Sequence, residues 1–403
     1  MSKWRKTFFG RVPANWDYEP LENFFELITY GFTNPMPTVS DGPYKLTAKD
    51  IYEGKIQYKY ARRTSVEAYD SLLTDKSRPL IEDILITKDG SIGRVAIVDK
   101  PNICISQSVA LIRTNKRINP LFLKYLLETS FYQRMIESDA TGSTIKHIYI
   151  TKINKMQIAV PKMEIQDKIL GVIHNVQLKI DLLYRQNETQ EEMASTLFRQ
   201  WFVEETEEDW EIVTLGKFVK TNQKTIKKDY PFQEIRYLDT GSLTENKIEE
   251  LKLMVLSDAP SRAKRLVNHN NILYSTVRPN QKHYGLIQKP NKNLVASTGF
   301  CVIECDEICP FFVYVLLTGK DMVEYLHSIA EGSTSTYPSL KPSDLEAIEF
   351  KLPNDDLLKK FSDYCSSAWE KIYNNKLQIK TLENLRDTLL PKLMSGEVRV
   401  KMN

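Results

Sequence analysis

The chain has 403 residues, 42% hydrophobic and 27% charged, a mix for two or three globular domains rather than one core. With 55 basic and 52 acidic residues its net charge is +3, which excludes a strongly basic coating protein but leaves room for local basic patches. The apolar run FFVYVLL (311–317) is too short to span a bilayer, and MSKWRKTFFG lacks a signal-peptide core, so a cytoplasmic chain with no membrane segment is expected.

In chain order, the sequence repeats itself. NWDYEPLENF (15–24) returns as DWEIVTLGKF (209–218), aligning Trp16 with Trp210, Leu21 with Leu215 and Phe24 with Phe218. EDILITKDGSIGRVAIV (82–98) and NNILYSTVRPNQKHYGLI (270–287) each read as two β-rich runs around a polar turn. That turn holds Lys88 and Arg94 in the first copy, Arg278 and Lys282 in the second. ISQSVALI (105–112) and ASTGFCVI (296–303) are strand-like, whereas NPLFLKYLL (119–127) and CPFFVYVLL (309–317) are Pro-led amphipathic helix starts. ATGSTIKHI (140–148) matches EGSTSTYPSL (331–340), and IAVP (158–161) matches FKLP (350–353). The offset drifts only between 188 and 194 residues and the order never changes, so one unit of about 190 residues is present twice.

After each closing proline the pattern turns into a long helix. A heptad frame holds Ile173, Val176, Ile180, Leu183, Asn187, Gln190, Ala194, Leu197 and Trp201 in the first copy. The second copy gives Cys365, Ala368, Ile372, Asn375, Ile379, Leu382, Arg386, Leu389 and Leu393, with Pro391 expected to limit the last turn. Helices of ~35–40 residues would span ~50–60 Å, which suits a coiled-coil partner. The simplest assembly pairs them antiparallel within one chain; a homodimeric coiled coil is the alternative. Asn187 and Asn375 on the seam would cost stability but fix register.

Catalytic chemistry finds no purchase. There is no P-loop, no cofactor loop beside the superficially methyltransferase-like NPLF at 119–122, and no clustered carboxylates, H-E-x-x-H or Ser/His/Asp set. The five cysteines (Cys104, Cys301, Cys305, Cys309 and Cys365) fit reduced thiols, and CVIECDEIC lacks a fourth ligand for a metal. Three basic clusters stand out: Lys59, Arg62 and Arg63; Lys224, Lys227 and Lys228; Arg262, Lys264 and Arg265. Taken singly, each reads as a solvated face ahead of a nucleic-acid site, and an equivalent position in the repeat would add to its weight.

These features resemble the specificity subunit of type I restriction-modification systems. The resemblance covers essentially the whole chain, most specifically STLFRQWF (195–202), LRDTLLPKLMSGEV (385–398), DILITKDGSIGRVAIV with SQSVALI, and the Gly-Ser-Thr elements at Gly142 and Gly332; YGFTNPMP at Tyr30 also looks like part of a recognition domain. It implies an α+β chain with two tandem β-rich α/β target-recognition domains. These are separated by two long helices that form an antiparallel intramolecular coiled coil, and the whole is pseudo-two-fold duplicated. The corresponding boundaries are recognition domains at 1–160 and 207–352, with helical regions at 161–206 and 353–403. Each domain would read half of a bipartite double-stranded DNA target, the divergence between Tyr30 and Lys88 giving different half-sites. The helices would set the gap and dock two methyltransferase subunits.

On that resemblance S-adenosylmethionine belongs to the methyltransferase, ATP and Mg to the restriction (helicase-nuclease) subunits, and this chain has no cofactor, metal or catalytic residue of its own. A reader needs cations, amides and hydroxyls on loops. The candidates are Tyr30, Thr33, Asn34, Lys88, Arg94, Ser143, Thr144 and Lys146 in the first domain, and Thr276, Arg278, Lys282, Ser333, Thr334 and Tyr337 in the second. The Ser-Thr pairs equally suit holding a domain against the helix. The residues themselves leave open a non-enzymatic protein-binding adaptor with duplicated modules on a coiled-coil rod.

Overall fold

A computed structural model describes residues 4–8, 10–142, 146–332 and 338–400. It divides into two compact units, one of Met1–Asp181 with Lys380–Asn403 and one of Leu182–Ile379. Among the described residues no helix is long and apolar enough to cross a membrane.

The first unit opens with β1 (Trp4–Thr7), β2 (Gly10–Pro13), β3 (Asp17–Pro20), β4 (Phe25–Tyr30), β5 (Val39–Leu46), β6 (Ile51–Tyr52), β7 (Lys55–Ile56), β8 (Arg62–Arg63) and α1 (Val66–Leu72). It continues with β9 (Ile84–Thr87), β10 (Val95–Ile97), β11 (Ile103–Ile105), β12 (Val109–Thr114), α2 (Pro120–Glu128), α3 (Ser130–Ser138), α4 (Ile150–Asn154), β13 (Gln157–Val160) and α5 (Met163–Arg199). One sheet runs β10-β9-β12-β4, antiparallel throughout, and a second runs β11-β5-β8. The apolar run Ile84–Leu85–Ile86 does not alternate because both faces of its strand are covered. Ile84 and Ile86 face a cluster with Phe122 and Leu126 of α2, while Leu85 packs with Leu46, Ile103 and Ile105 of the other sheet. Each such fully buried aliphatic side chain contributes about 1.5–3 kcal/mol. Pairing of β3 with β13 closes the repeat, with Trp16, Leu21 and Phe24 buried beside it.

The second unit contains β14 (Ile212–Thr214), β15 (Val219–Thr221), β16 (Glu234–Leu238), β17 (Leu243–Thr244), β18 (Lys247–Ile248), β19 (Lys252–Val255), β20 (Ala263–Leu266), β21 (Ile272–Ser275), β22 (Tyr284–Leu286), β23 (Leu294–Ser297) and β24 (Phe300–Cys305). Helices α6 (Pro310–Thr318), α7 (Lys320–Glu331) and α8 (Pro342–Glu346), strand β25 (Glu349–Lys351) and helix α9 (Asp355–Met394) follow, with α5 from Leu182 belonging to this unit and α9 from Lys380 to the first. Its first sheet, β15-β24-β21-β22, repeats the order β4-β12-β9-β10 strand for strand. β14 pairs with β25 as β3 does with β13. The duplication read from sequence is therefore a duplication of topology.

The second sheets differ. In the first unit β8 lies antiparallel beside β5, whose other neighbour is the parallel β11. In the second, β19 takes the β8 position beside β16, and β20 is added on the far side of β23. Where the first unit builds α1 between its edge strand and the main hairpin, the second builds β20.

Each unit pairs antiparallel stretches of the two long helices. In the first, Ile169, Leu170 and Ile173 of α5 pack with Leu390, Leu393 and Met394 of α9, and Arg386 Nη1 donates to Gln177 Oε1 at 2.8 Å. In the second, the rings of Phe198 and Phe361 lie 6.0 Å apart, and Asn375 Nδ2 donates to Asn187 Oδ1 at 2.8 Å. The seam is thus an intramolecular antiparallel coiled coil. Ile173, Ile180, Leu183, Ala368, Ile372 and Ile379 are buried, with Val176, Leu197, Leu382 and Leu389 half-buried. Helix α9 runs through Pro391 and ends within a turn of it at Met394, where Ser395 N donates to the Pro391 carbonyl at 3.0 Å. Proline removes only its own N–H here, in a last turn that tolerates the loss.

Candidate nucleic-acid interface

In the first unit three strand ends meet. Tyr30 closes β4 opposite Ala110, and Thr87 closes β9 opposite Val109. Lys88 follows at once, its N–H on the Ser108 carbonyl and its carbonyl accepting from Ile148 N, both at 2.9 Å. Gly90 N–H donates to the Lys146 carbonyl, and bridges join His147 to both Asp89 and Thr141. The polar turn is therefore joined to Thr141, Lys146 and His147 in one construction. Lys88 Nζ sits 5.4 Å over the Tyr30 ring and pairs with Asp89 at 3.0 Å. Tyr30, Thr33, Asn34 and Lys146 are exposed around it.

The loop that carries Thr33 and Asn34 is placed by two constraints. A Cβ on Gly31 would lie 1.7 Å from the Ile105 carbonyl oxygen, so only glycine allows this approach. Lys45 Nζ then holds the loop by donating to Met36 O, Pro37 O and Thr38 Oγ1 at 2.7–3.0 Å. Burial pulls the Lys45 pKa below its usual value.

Arg94 leaves this group. Its Nη1 donates to the Ile51 carbonyl at 3.3 Å and its guanidinium covers the Tyr52 ring at 5.2 Å. Ile51 and Tyr52 belong to a hairpin that pairs Ile51 with Ile56 and Tyr52 with Lys55. Glu53 and Gly54 form its turn, both at positive φ, as a two-residue hairpin loop requires. Lys55 ties this hairpin to the long helix through Asp181 at 2.7 Å.

The second unit repeats the arrangement with other side chains. Leu243 pairs with Ile248 and Thr244 with Lys247, and the turn residues Glu245 and Asn246 again have positive φ. Here His283, not Arg278 or Lys282, takes the Arg94 position: its Nδ1 lies 2.7 Å from the Leu243 carbonyl, so that nitrogen carries the proton. Asn246 Nδ2 donates to Glu191 of α5 at 2.9 Å, and Lys376 Nζ of α9 donates to the Asn246 carbonyl at 3.2 Å. Burial raises the Glu191 pKa. Sequence reading missed both hairpins, because strands of two residues carry no periodicity; the 192-residue offset between IYEGKI and LTENKI was the available signal.

Of the second set of candidates, Thr276 matches Lys88 in place: its N–H donates to Gly299 O and its carbonyl accepts from Leu340 N. Its hydroxyl is spent on Gly299 O at 3.0 Å. Arg278 is exposed at φ 49°, its N–H on the Pro338 carbonyl at 3.1 Å. Lys282 turns away to Glu245 at 2.7 Å, in the turn of the β17–β18 hairpin, which like β6–β7 is tied to a long helix and forms the latch hairpin of its unit. The candidates Ser143, Thr144, Ser333, Thr334 and Tyr337 lie outside the described residues.

Residues 39–192 match the family described as the type I restriction modification DNA specificity domain. The chain is therefore similar to type I DNA specificity domains over that stretch. It is 26% identical over 435 residues to the type I restriction enzyme MjaIX specificity subunit of Methanocaldococcus jannaschii, covering 99% of this chain and 97% of that one. The HindI specificity subunit of Haemophilus influenzae is 27% identical over 186 residues, 45% of this chain and 40% of its own length. A crystal structure of the S subunit of a type I restriction-modification system from M. genitalium shares the fold, with a TM-score of 0.58 at 18% identity over 96% of this chain and 97% of that chain.

The matched specificity domain contains the polar turn, the latch hairpin and the start of the coiled coil, whereas Tyr30, Thr33 and Asn34 precede it. The end of the first unit's sheet carries the Tyr30 ring, the Thr33 hydroxyl, the Asn34 amide and the Lys88 and Lys146 ammonium groups on short loops, side-chain types that can contact base edges. Cys301 lies within β24, Cys305 at its end and Cys309 before α6, and among the described residues no group of three or more His, Cys, Asp or Glu could hold a metal.

Proposed function

We propose that this chain is the DNA sequence-specificity subunit of a type I restriction-modification complex. Each unit reads one half of a bipartite target in double-stranded DNA, and the paired helices set the number of unread base pairs. The helices also dock two methyltransferase subunits, which bring S-adenosylmethionine; restriction subunits bring ATP and Mg. In this reading the chain is a cytoplasmic reader that performs no catalysis, and its candidates on the two sheet ends supply base and phosphate contacts. The observation that carries the proposal is the duplication itself: the same four-strand sheet, polar turn and latch hairpin occur twice on two shared helices, one copy matching a DNA specificity domain. Exchange of residues 17–160 for those of a relative should change one half-site and leave the other intact in methylome sequencing. Alteration of both half-sites, or a methylome indifferent to the chain, refutes the proposal.

A further inference from the structure

The two units carry their unpaired cations on opposite sides of their second sheets. In the first unit Lys59 and Arg62 are exposed at the β8 edge beside β5, and neither has an ion-pair partner among the described residues. Arg63 next to them is committed to Asp41, the Gly42 carbonyl and the Tyr44 hydroxyl, which fixes this edge in place. The matching edge of the second unit is β19, preceded by Glu249 and Glu250 and exposing Leu253 and Val255. Its one cation, Lys252, pairs with Asp239 at 3.4 Å.

The second unit instead gathers cations on the far side of its sheet. Arg262 and Lys264 lie at and on β20, exposed and without ion-pair partners among the described residues. Residues 224–226 run antiparallel along β20, with Thr225 opposite Arg265 and Ile226 N donating to the Lys264 carbonyl at 2.9 Å. Lys227 and Lys228, both exposed, follow directly. Two segments about 35 residues apart in sequence are thus brought together with four like charges. Like charges so placed repel one another, and a polyanion relieves that repulsion.

We propose that these are the phosphate-contacting rows of the two units, so that each half-site is held from a structurally non-equivalent sheet edge. The inference rests on the DNA-recognition reading above and adds which residues grip the backbone. Phosphate contacts set the orientation of a reader on the duplex, so non-equivalent rows present different faces of a common scaffold to the two half-sites.

The test is the salt dependence of binding by the full chain to a fluorescently labelled mixed-sequence duplex. Each phosphate contact contributes about 0.9 to the slope of log K against log salt. Lys59→Gln with Arg62→Gln should lower the slope by about 2, and Arg262→Gln with Lys264→Gln by the same amount. Lys247→Gln with Lys252→Gln, on β18 and β19 of the second unit, removes equal charge and should leave the slope unchanged. Equal changes in all three pairs, or no change in either row, overturn the assignment alone. A wild-type chain without salt-dependent duplex binding overturns the underlying reading.

Discussion

The buried amide pair on the coiled-coil seam makes a quantitative prediction. Asn187 and Asn375 are 8% and 5% exposed, and one donates to the other at 2.8 Å. Asn187→Leu leaves the Asn375 amide facing an apolar side chain, and Asn375→Leu does the same to the Asn187 carbonyl oxygen. Each single change should cost about 1–3 kcal/mol, the penalty of an unsatisfied buried polar group. The double change removes both amides and should be neutral or stabilising by about 1–2 kcal/mol. The coupling is therefore about 2–8 kcal/mol, of opposite sign to the single losses. For a unit of this size about 1 kcal/mol moves the melting midpoint by roughly 2–4 °C. Calorimetry of the full chain should show singles melting about 2–12 °C low and the double at or above wild type. A double variant that loses the sum of the single losses refutes the pairing. The same arithmetic explains register: sliding one helix by a heptad sets Asn187 against Ala368, and two stranded amides would cost about 2–6 kcal/mol.

Two further outcomes follow from the geometry. Gly31→Ala forces a Cβ into the Ile105 carbonyl, so it should destabilise the first unit by about 2 kcal/mol or more and selectively weaken recognition of one half-site, measured by calorimetry and methylome sequencing; a wild-type melt and methylome would refute the close approach. Four residues inserted after Asn187 lengthen the helix by ~6 Å and slightly more than one turn, so the methylated motif should gain about one unread base pair with both half-sites unchanged, and an active complex with the old gap would refute the spacer role.

Much of the architecture is local enough to be legible without coordinates. A heptad frame names the seam residues because a helix repeats its face every few residues whatever surrounds it. Ile173, Ile180 and Leu183 are buried where the frame put them, as are Ala368, Ile372 and Ile379. The duplication was equally visible, since Trp16 and Trp210, or the β9–β10 and β21–β22 hairpins, recur at a nearly constant offset. The whole-chain likeness to specificity subunits followed from those same stretches.

What the sequence could not decide is which side chains keep company across the chain. Arg94 looked like a partner of Arg278 or Lys282, yet its structural counterpart is His283, because the shared task is donating to a hairpin carbonyl rather than carrying charge. Lys282 is cationic and in the turn, but Glu245 claims it. The clusters at Arg62 and Lys264 resemble one another as strings of residues and lie on opposite sides of their sheets. Strand neighbours are chosen by hydrogen bonds between segments tens of residues apart, and each strand's own period says only which faces are buried. Composition and period therefore determined the units, their helices and their cores, while the pairing of distant edges decided where the charges stand.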